Sequence, residues 1–495
     1  MGGGLMQLVS YGAQDIYLSG NPQITFWKIL YKRHTNFAVE SIEVTFNGQA
    51  DFNRRVTAVI NRNADLMYKT YVQVVLPQVD TNATHSFRWL HYIGHRLIKQ
   101  VEVEIGGQRI DRQYGDWMQI WTQLSTEAGS IRALDEMIGQ TADMVLVKGD
   151  GVALDQPCSA SELTQSCVGK AGTPAKTLYI PLQFWFCRNP GVAIPLIALQ
   201  YHEVRINVDF ETAQNCYYNP DGLTINSLAA ASLYVDYVSL DTEERRRFAQ
   251  QSHEYLIEQV QHTGAESITS SSNKIQLNFN HPVKELFWVV QRDSFVDCSS
   301  GGAANEVYSG AQPFNYSDDW DTSVAVLSSM TNDATDGPAS QVGPTSAYTG
   351  TGTAAPATSG TAGTDSAAGF LLAKLLLDAG VRCEGKNPVE VAKLQLNGQD
   401  RFTEREGSYF DRVQPYQHHS RTPSTGINCY SFALRPEEHQ PSGTCNFSRI
   451  DKATLQLTVS VNTVTGSNTA QVRVYALNYN VLRVMSGMGG LAYSN

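Results

Sequence analysis

The feature that most constrains this chain is that one series of short signals runs through it twice, in the same order. Val39-Glu40-Ser41-Ile42-Glu43 returns as Ile257-Glu258-Gln259-Val260-Gln261, an offset of 218 residues. Asn61-Arg62-Asn63 returns as Asn278-Phe279-Asn280 at 217, and Gly107-Gln108 as Gly398-Gln399 at 291. Tyr179, Pro190 and Val204-Arg205-Ile206-Asn207-Val208 return as Tyr430, Pro441 and Leu455-Gln456-Leu457-Thr458-Val459, all at 251. Each match is weak alone. Their shared order, with offsets that change only between blocks, points to two copies of one fold. The jump from 217 to 291 requires an insertion in the second copy, and the fall to 251 a smaller one in the first.

The repeated unit reads as β-structure. Val101-Glu102-Val103-Glu104-Ile105 alternates apolar residues with carboxylates and runs into a Gly106-Gly107 turn. Val204–Phe210 and Leu455–Val461 alternate equally well, and long amphipathic helical patterns are nearly absent. Short alternating strands at even spacing mean a sandwich or barrel. At 495 residues the chain also exceeds what one core usually supports.

These signals divide the chain into an extended Gly-rich arm over 1–30, a first β-domain over 31–240, a linker helix over 241–252 and a second β-domain over 253–495. Asp241 with Glu244 three positions on starts the linker helix. The insertion of the second copy falls at about 293–388. Between Asp293 and Ala373 it holds nine Asp or Glu and no Lys or Arg, and residues 322–370 are mostly Ser, Thr, Gly and Ala. Such a segment buries little apolar area and belongs on the surface. The extra segment of the first copy, about 124–178, reads as loop.

Charge and motifs exclude more than they assign. Net charge is −11, and the densest basic run, Arg245-Arg246-Arg247, lies beside Glu243 and Glu244. It reads as a solvated helix, so direct nucleic-acid binding is not expected. The amino terminus has no basic n-region, and no stretch reaches the ~18 apolar residues of a membrane span. Eight cysteines form no C-x-x-C pair. Cys158 and Cys167 are spaced to close a loop, whereas reduced thiols are expected of a protein made in cytosol.

No phosphate-binding loop, dinucleotide fingerprint or nucleophile elbow occurs. His418-His419 is the best metal candidate by inspection, but neighbours on a strand point to opposite faces, so the pair reads as surface histidines. Glu102 and Glu104 read as the solvated face of a strand. No catalytic residue, metal or cofactor is therefore expected. N-x-[ST] sequons occur at Asn82, Asn315 and Asn446. Asn82 and Asn315 sit in loop-like context and are the candidate glycosylation sites; Asn446, just before a predicted strand, reads as a turn residue.

Longer motifs go further. Gly3-Gly4-Leu5-Met6-Gln7-Leu8-Val9-Ser10-Tyr11-Gly12-Ala13-Gln14-Asp15-Ile16-Tyr17-Leu18, Glu104-Ile105-Gly106-Gly107-Gln108-Arg109-Ile110-Asp111 and Pro195-Leu196-Ile197-Ala198-Leu199-Gln200-Tyr201-His202-Glu203 resemble the major capsid proteins of nucleocytoplasmic large DNA viruses. Leu396-Asn397-Gly398-Gln399-Asp400-Arg401-Phe402 and the closing Asn480-Val481-Leu482-Arg483-Val484-Met485-Ser486-Gly487-Met488-Gly489-Gly490-Leu491 resemble the same family, its algal-virus branch most. The resemblance spans nearly all the chain except about 124–178 and 293–388.

It implies an all-β double jelly roll, two tandem eight-stranded antiparallel sandwiches. It further implies a homotrimer that acts as a pseudo-hexagonal capsomer in the icosahedral outer shell of a virion, assembled in the host cytoplasm. Implied partners are neighbouring capsomers, minor capsid and penton proteins and, through the inner face, the internal viral membrane. Jelly rolls also serve as lectins, so a secreted carbohydrate-binding sandwich is the alternative, against which the missing signal peptide argues.

Overall fold

The computed structural model of the chain describes residues 3–24, 26, 31–80, 87–145, 172–219, 223, 225, 227–296, 312–319, 385–464, 466 and 468–493. The first sandwich is built from β1 (Phe37–Val44), β2 (Arg55–Ile60), β3 (Leu66–Leu76), β4 (Ile98–Ile105), β5 (Gln108–Tyr114), β6 (Lys176–Pro181), β7 (Val204–Phe210) and β8 (Ala230–Leu240). One sheet has β1, β8 and β3 side by side with β6 on the far side of β3; the other runs β2-β7-β4-β5. The second sandwich uses β9 (His253–Ile268), β10 (Ser272–Leu277), β11 (Pro282–Arg292), β12 (Val389–Leu396), β13 (Gln399–Asp400), β14 (Asn428–Ser431), β15 (Ala453–Val459) and β16 (Ala470–Met485). Its sheets run β9-β16-β11-β14 and β10-β15-β12-β13.

The two strand orders are the same order shifted by one full set. Both are the Greek-key arrangement of a jelly roll, with every main pairing antiparallel. The doubled sequence signals fall on matching elements: Val39 on β1 and Ile257 on β9, Tyr179 on β6 and Tyr430 on β14, Val204 on β7 and Leu455 on β15. The β4–β5 hairpin turns through Gly106 and Gly107, with φ of 59° and 82°. The β12–β13 hairpin turns through Asn397 and Gly398, with φ of 50° and 80°. Two central residues with positive φ make the mirror-image turn that matches strand twist, which explains Gly or Asn there.

Alternation along the strands sets the two cores. Val56, Ala58 and Ile60 of β2, with Val101, Val103 and Ile105 of β4, face Val72 and Val74 of β3 and Leu178 and Ile180 of β6. In the second sandwich Ile275 and Leu277 of β10 and Leu455, Leu457 and Val459 of β15 face Leu286, Trp288 and Val290 of β11. Strand β11 does not alternate: Val283 to Gln291 are all buried, because its other face meets the first domain.

Three local expectations change. The arm carries helical turns at Gly3–Val9 and Ile16–Ser19 and is not extended throughout. The start of the first extra segment, read as loop over about 124–178, is helical over Ile131–Ile138, and the helix Gly115–Ser125 leads into it. The helix Thr242–Gln250 between the domains begins after Asp241, but no Asp241 side-chain cap forms. Arg245 is instead drawn to the buried Asp65 at 3.0 Å.

Candidate functional site: the inter-domain seam and a buried Glu-His-Cys cluster

The helix Gly115–Ser125 follows β5 and drives two tryptophans between the domains. Trp117 and Trp121 stack with centroids 5.7 Å apart, and Trp117 meets Phe287 of β11 edge-on at 5.1 Å. Val260, Val289, Tyr475 and Leu477 of the second sandwich close the same cluster. Apolar surface buried between the halves in this way makes them one body.

Polar groups pin the seam. The Val260 N–H donates to Asp111 Oδ1 at 3.0 Å, and the Gln259 side chain donates to the Ile110 carbonyl. Arg473 pairs with Asp116. Glu258 accepts from Arg188 at 3.0 Å and from the fully buried Lys284 at 2.6 Å, and Arg188 lies 4.4 Å over the Trp121 ring. The C-terminal hairpin adds a strap: Tyr201 N–H donates to the Gly487 carbonyl at 2.9 Å, and His202 Nδ1 lies 3.0 Å from the Gly489 carbonyl. The described carboxyl end is therefore docked on the first sandwich.

Beside the tryptophans lies a cluster that the sequence hides. The short helix Gln414–His418 ends as the His419 N–H donates to the Pro415 carbonyl at 2.8 Å, which turns the His419 side chain inward. That side chain has no exposed surface, and its ring sits 6.3 Å from Trp121 and 6.2 Å from Phe287. Its Nε2 is 2.7 Å from Oε1 of the buried Glu285 on β11, and its Nδ1 is 3.0 Å from Oε1 of Glu437. Cys429 of β14, also buried, completes the group; one ligand atom each from Glu285, His419 and Cys429 lies within 4.8 Å of the others.

The electrostatics follow from this packing. Burial by itself would lower the His419 pKa, but the Glu285 and Glu437 carboxylates reverse it and hold the imidazole well above its ordinary value. Burial pushes the Cys429 thiol up to about 12. Glu285 Oε2 is buried with no hydrogen-bond partner.

This corrects the reading of His418-His419 as surface histidines. Only His418 fits it in part, with Nδ1 3.1 Å from the Leu434 carbonyl near solvent. The pair lies at a helix end and not on a strand, so His419 is free to turn to the core.

Asn315 is also corrected. It is buried, its amide donates to Gln312 Oε1 at 2.7 Å and to the Asp319 carbonyl at 2.9 Å, and its Oδ1 accepts from Ser317. An amide so engaged is not presented for glycosylation. Asn82 lies outside the described residues, as do Cys158, Cys167 and residues 322–370. Asn446 accepts from the Ser448 N–H at 3.0 Å and caps a turn, as its position suggested. Glu102, read as solvated, is buried under Arg55 and Arg112. The signal that sequence reading passed over is Lys284-Glu285 inside an otherwise apolar run, Val283 to Val290.

The described surface also exposes several large apolar side chains. Leu8, Tyr17 and Leu18 of the arm are exposed. Phe37 and Val39 stand exposed on β1, the outer strand of its sheet, which pairs only with β8 among the described residues.

Comparison with known proteins gives the family. A family model described as "Major capsid protein N-terminus" matches residues 25–241, and one described as "Large eukaryotic DNA virus major capsid protein" matches 244–490. The major capsid protein of Phaeocystis pouchetii virus is 57 % identical, with all of both chains covered. That of Paramecium bursaria Chlorella virus 1 is 39 % identical, again over all of both chains. A solved structure described as "PBCV-1 virus capsid, quasi-atomic model" is 34 % identical with a TM-score of 0.66, covering 95 % of this chain and 100 % of that one. Two jelly rolls locked across an aromatic seam, matched end to end by these relatives, place the chain in the major capsid protein family of large eukaryotic DNA viruses, the virion components that form the outer capsid shell.

Proposed function

We propose that the chain works as a homotrimer, a pseudo-hexagonal capsomer that tiles the icosahedral shell of a large double-stranded DNA virus, and that its role is structural and not catalytic. The observation that carries this reading is the repeated strand order. Three copies of a chain with two like sandwiches place six jelly rolls around one axis. A block with six similar sides packs a flat lattice through repeated contacts. Two sandwiches in one chain let alternate sides differ slightly in sequence while keeping one shape.

Exposed apolar groups support a partnered surface. Phe37 and Val39 on the outer strand β1 would be covered by a neighbouring chain, since an open sheet edge of this kind invites pairing. The arm, which buries none of its own residues over Gly3–Val9, suits contact with minor capsid or penton proteins or with the internal membrane. The secreted carbohydrate-binding alternative has no observation in its favour. Direct nucleic-acid binding is not part of the proposal.

The test is mass in solution followed by electron microscopy. A trimer of the 54.5 kDa chain that buries more than ~2,000 Å² at its interfaces supports the reading. A stable monomer at micromolar concentration, or particles whose capsomers are not threefold, overturns it.

A further inference from the structure

Glu285, His419 and Cys429 come from three separate elements, strand β11, the end of the helix Gln414–His418 and strand β14. Among the described residues they form the one group of three such side chains whose donor atoms converge. We propose that they bind a single divalent cation of the zinc class, which acts as a structural clamp beside the inter-domain seam. This runs against the expectation of a metal-free chain drawn from sequence.

Four observations support it. The first is the donor set: one thiol, one imidazole and one carboxylate are the ligand types that zinc takes. The second is closeness. The three donor atoms lie within 4.8 Å of one another, whereas ligands on one tetrahedral zinc stand roughly 3.3 to 3.7 Å apart, given bonds of about 2.0 to 2.3 Å. Opening the 2.7 Å contact of His419 Nε2 with Glu285 Oε1 by roughly half an ångström admits the ion.

The third is the outer support. His419 Nδ1 faces Glu437 Oε1 at 3.0 Å, and that carboxylate is itself held by the Ser420 N–H at 2.9 Å. A ligating imidazole almost always gives its second ring N–H to a carboxylate, a backbone carbonyl or water, which fixes its tautomer and aims the other nitrogen at the metal. The fourth is the orphan: Glu285 Oε2 is buried beside these groups with no hydrogen-bond partner. A cation gives that charge a use that the protein's own donors do not.

Ligation requires Cys429 as thiolate and His419 Nε2 unprotonated, so binding one M²⁺ sends the Sγ proton, and any proton on Nε2, to solvent. The bound trio then counts one carboxylate, one thiolate, one neutral imidazole and the dication, which sum to zero. Affinity therefore rises with pH.

The test uses the full-length chain, stripped with chelator and then dialysed against zinc alone. We expect about one zinc per chain, release of protons on binding, and a higher melting midpoint than the stripped protein. Cobalt in place of zinc should give the near-ultraviolet charge-transfer absorption of a thiolate ligand. Cys429→Ser should lose that absorption and at least tenfold in affinity, and Glu437→Gln, outside the ligand set, should weaken binding less. If the variants fail to fold, alkylation of the wild-type chain decides: zinc should protect the Cys429 peptide from labelling during partial unfolding. Substoichiometric zinc with no cobalt–thiolate absorption, zinc uptake unchanged by Cys429→Ser, or equal labelling of Cys429 with and without zinc each overturn the proposal.

Discussion

The side-chain carboxyl group of Asp111 on β5 accepts the backbone N–H of Val260 on β9 through Oδ1 at 3.0 Å, so a side chain of the first jelly roll satisfies the main chain of the second. The bond lies wholly inside the protein. Burial raises the Asp111 pKa to about 7, against the lesser opposing pulls of the Val260 and Gln113 donors and Arg188.

That shift sets a pH dependence of unusual sign for an aspartate. The folded chain keeps a proton on Asp111 that the unfolded chain, with a carboxyl pKa near ~3.9, releases. Its contribution to stability is complete below about pH 4 and is lost as pH rises through 7. In that window the slope from one proton approaches ~1.4 kcal/mol per pH unit. Asp111→Asn keeps an acceptor for Val260 and has no proton to lose. Denaturation measured from pH 4 to 8 should therefore show a flatter decline for the variant; parallel curves would refute the assignment.

The Glu258 triad yields a prediction about which partner matters. Lys284 is almost wholly buried and is held by Glu258 at 2.6 Å, while Arg188 holds the same carboxylate at 3.0 Å. Glu258→Gln strands two cations and should cost about 3–5 kcal/mol, the penalty of an uncompensated buried charge. Lys284→Met leaves Glu258 paired with Arg188, and should cost roughly half of that or less. Chemical denaturation of the two variants reads the order directly; a costlier Lys284→Met would mean that Arg188 does not carry the charge.

Two glycines with similar backbones should respond very differently. Gly107, at φ 82°, has open space where a Cβ would stand. Gly107→Ala should cost only the ~1–2 kcal/mol of a left-handed backbone. Gly426, at φ 93°, packs so closely that a Cβ would lie 1.9 Å from the Tyr316 carbonyl oxygen. Gly426→Ala must also displace main chain, and its loss should exceed about 3 kcal/mol. Equal melting shifts would show that the approach of residues 316 and 426 is looser than described.

What sequence reading reached and what it missed divide along burial. Strands with one face inward, such as Val101–Ile105 or Leu455–Val459, alternate, so their existence and pairing partners were legible. The hairpin turns at Gly107 and Gly398 were legible because positive φ restricts residue choice. The helix Gly115–Ser125 was passed over although Trp117, Ile120, Trp121 and Leu124 recur at helical spacing opposite Asp116, Gln119 and Gln123; what its pattern does not encode is that Gln119, Thr122 and Gln123 are buried too, which depends on the second sandwich. Glu285, His419 and Cys429 are separated by up to 144 positions, and only the Greek-key order brings them together. Asn315 shows the reverse error. Its sequon is a local pattern, while its burial depends on the Gln312 and Asp319 contacts that no three-residue motif encodes.

The arm separates folding from assembly. None of the residues of its two helical turns is buried, and Leu8, Tyr17 and Leu18 face solvent. Removing residues 1–24 should therefore change the stability of the chain by no more than about 0.5 kcal/mol, as for other surface changes. Assembly should behave otherwise. Each large apolar side chain that becomes fully covered contributes about 1.5–3 kcal/mol, so a few such residues suffice to hold a partner. The truncated chain should melt with the full-length protein yet fail to form complete particles, or fail to bind the minor capsid proteins proposed as its partners, in a side-by-side assembly assay read by sedimentation. Normal particles from the truncated chain would mean that the arm is dispensable. A melting point lower by many degrees would mean that the arm packs on the sandwiches after all.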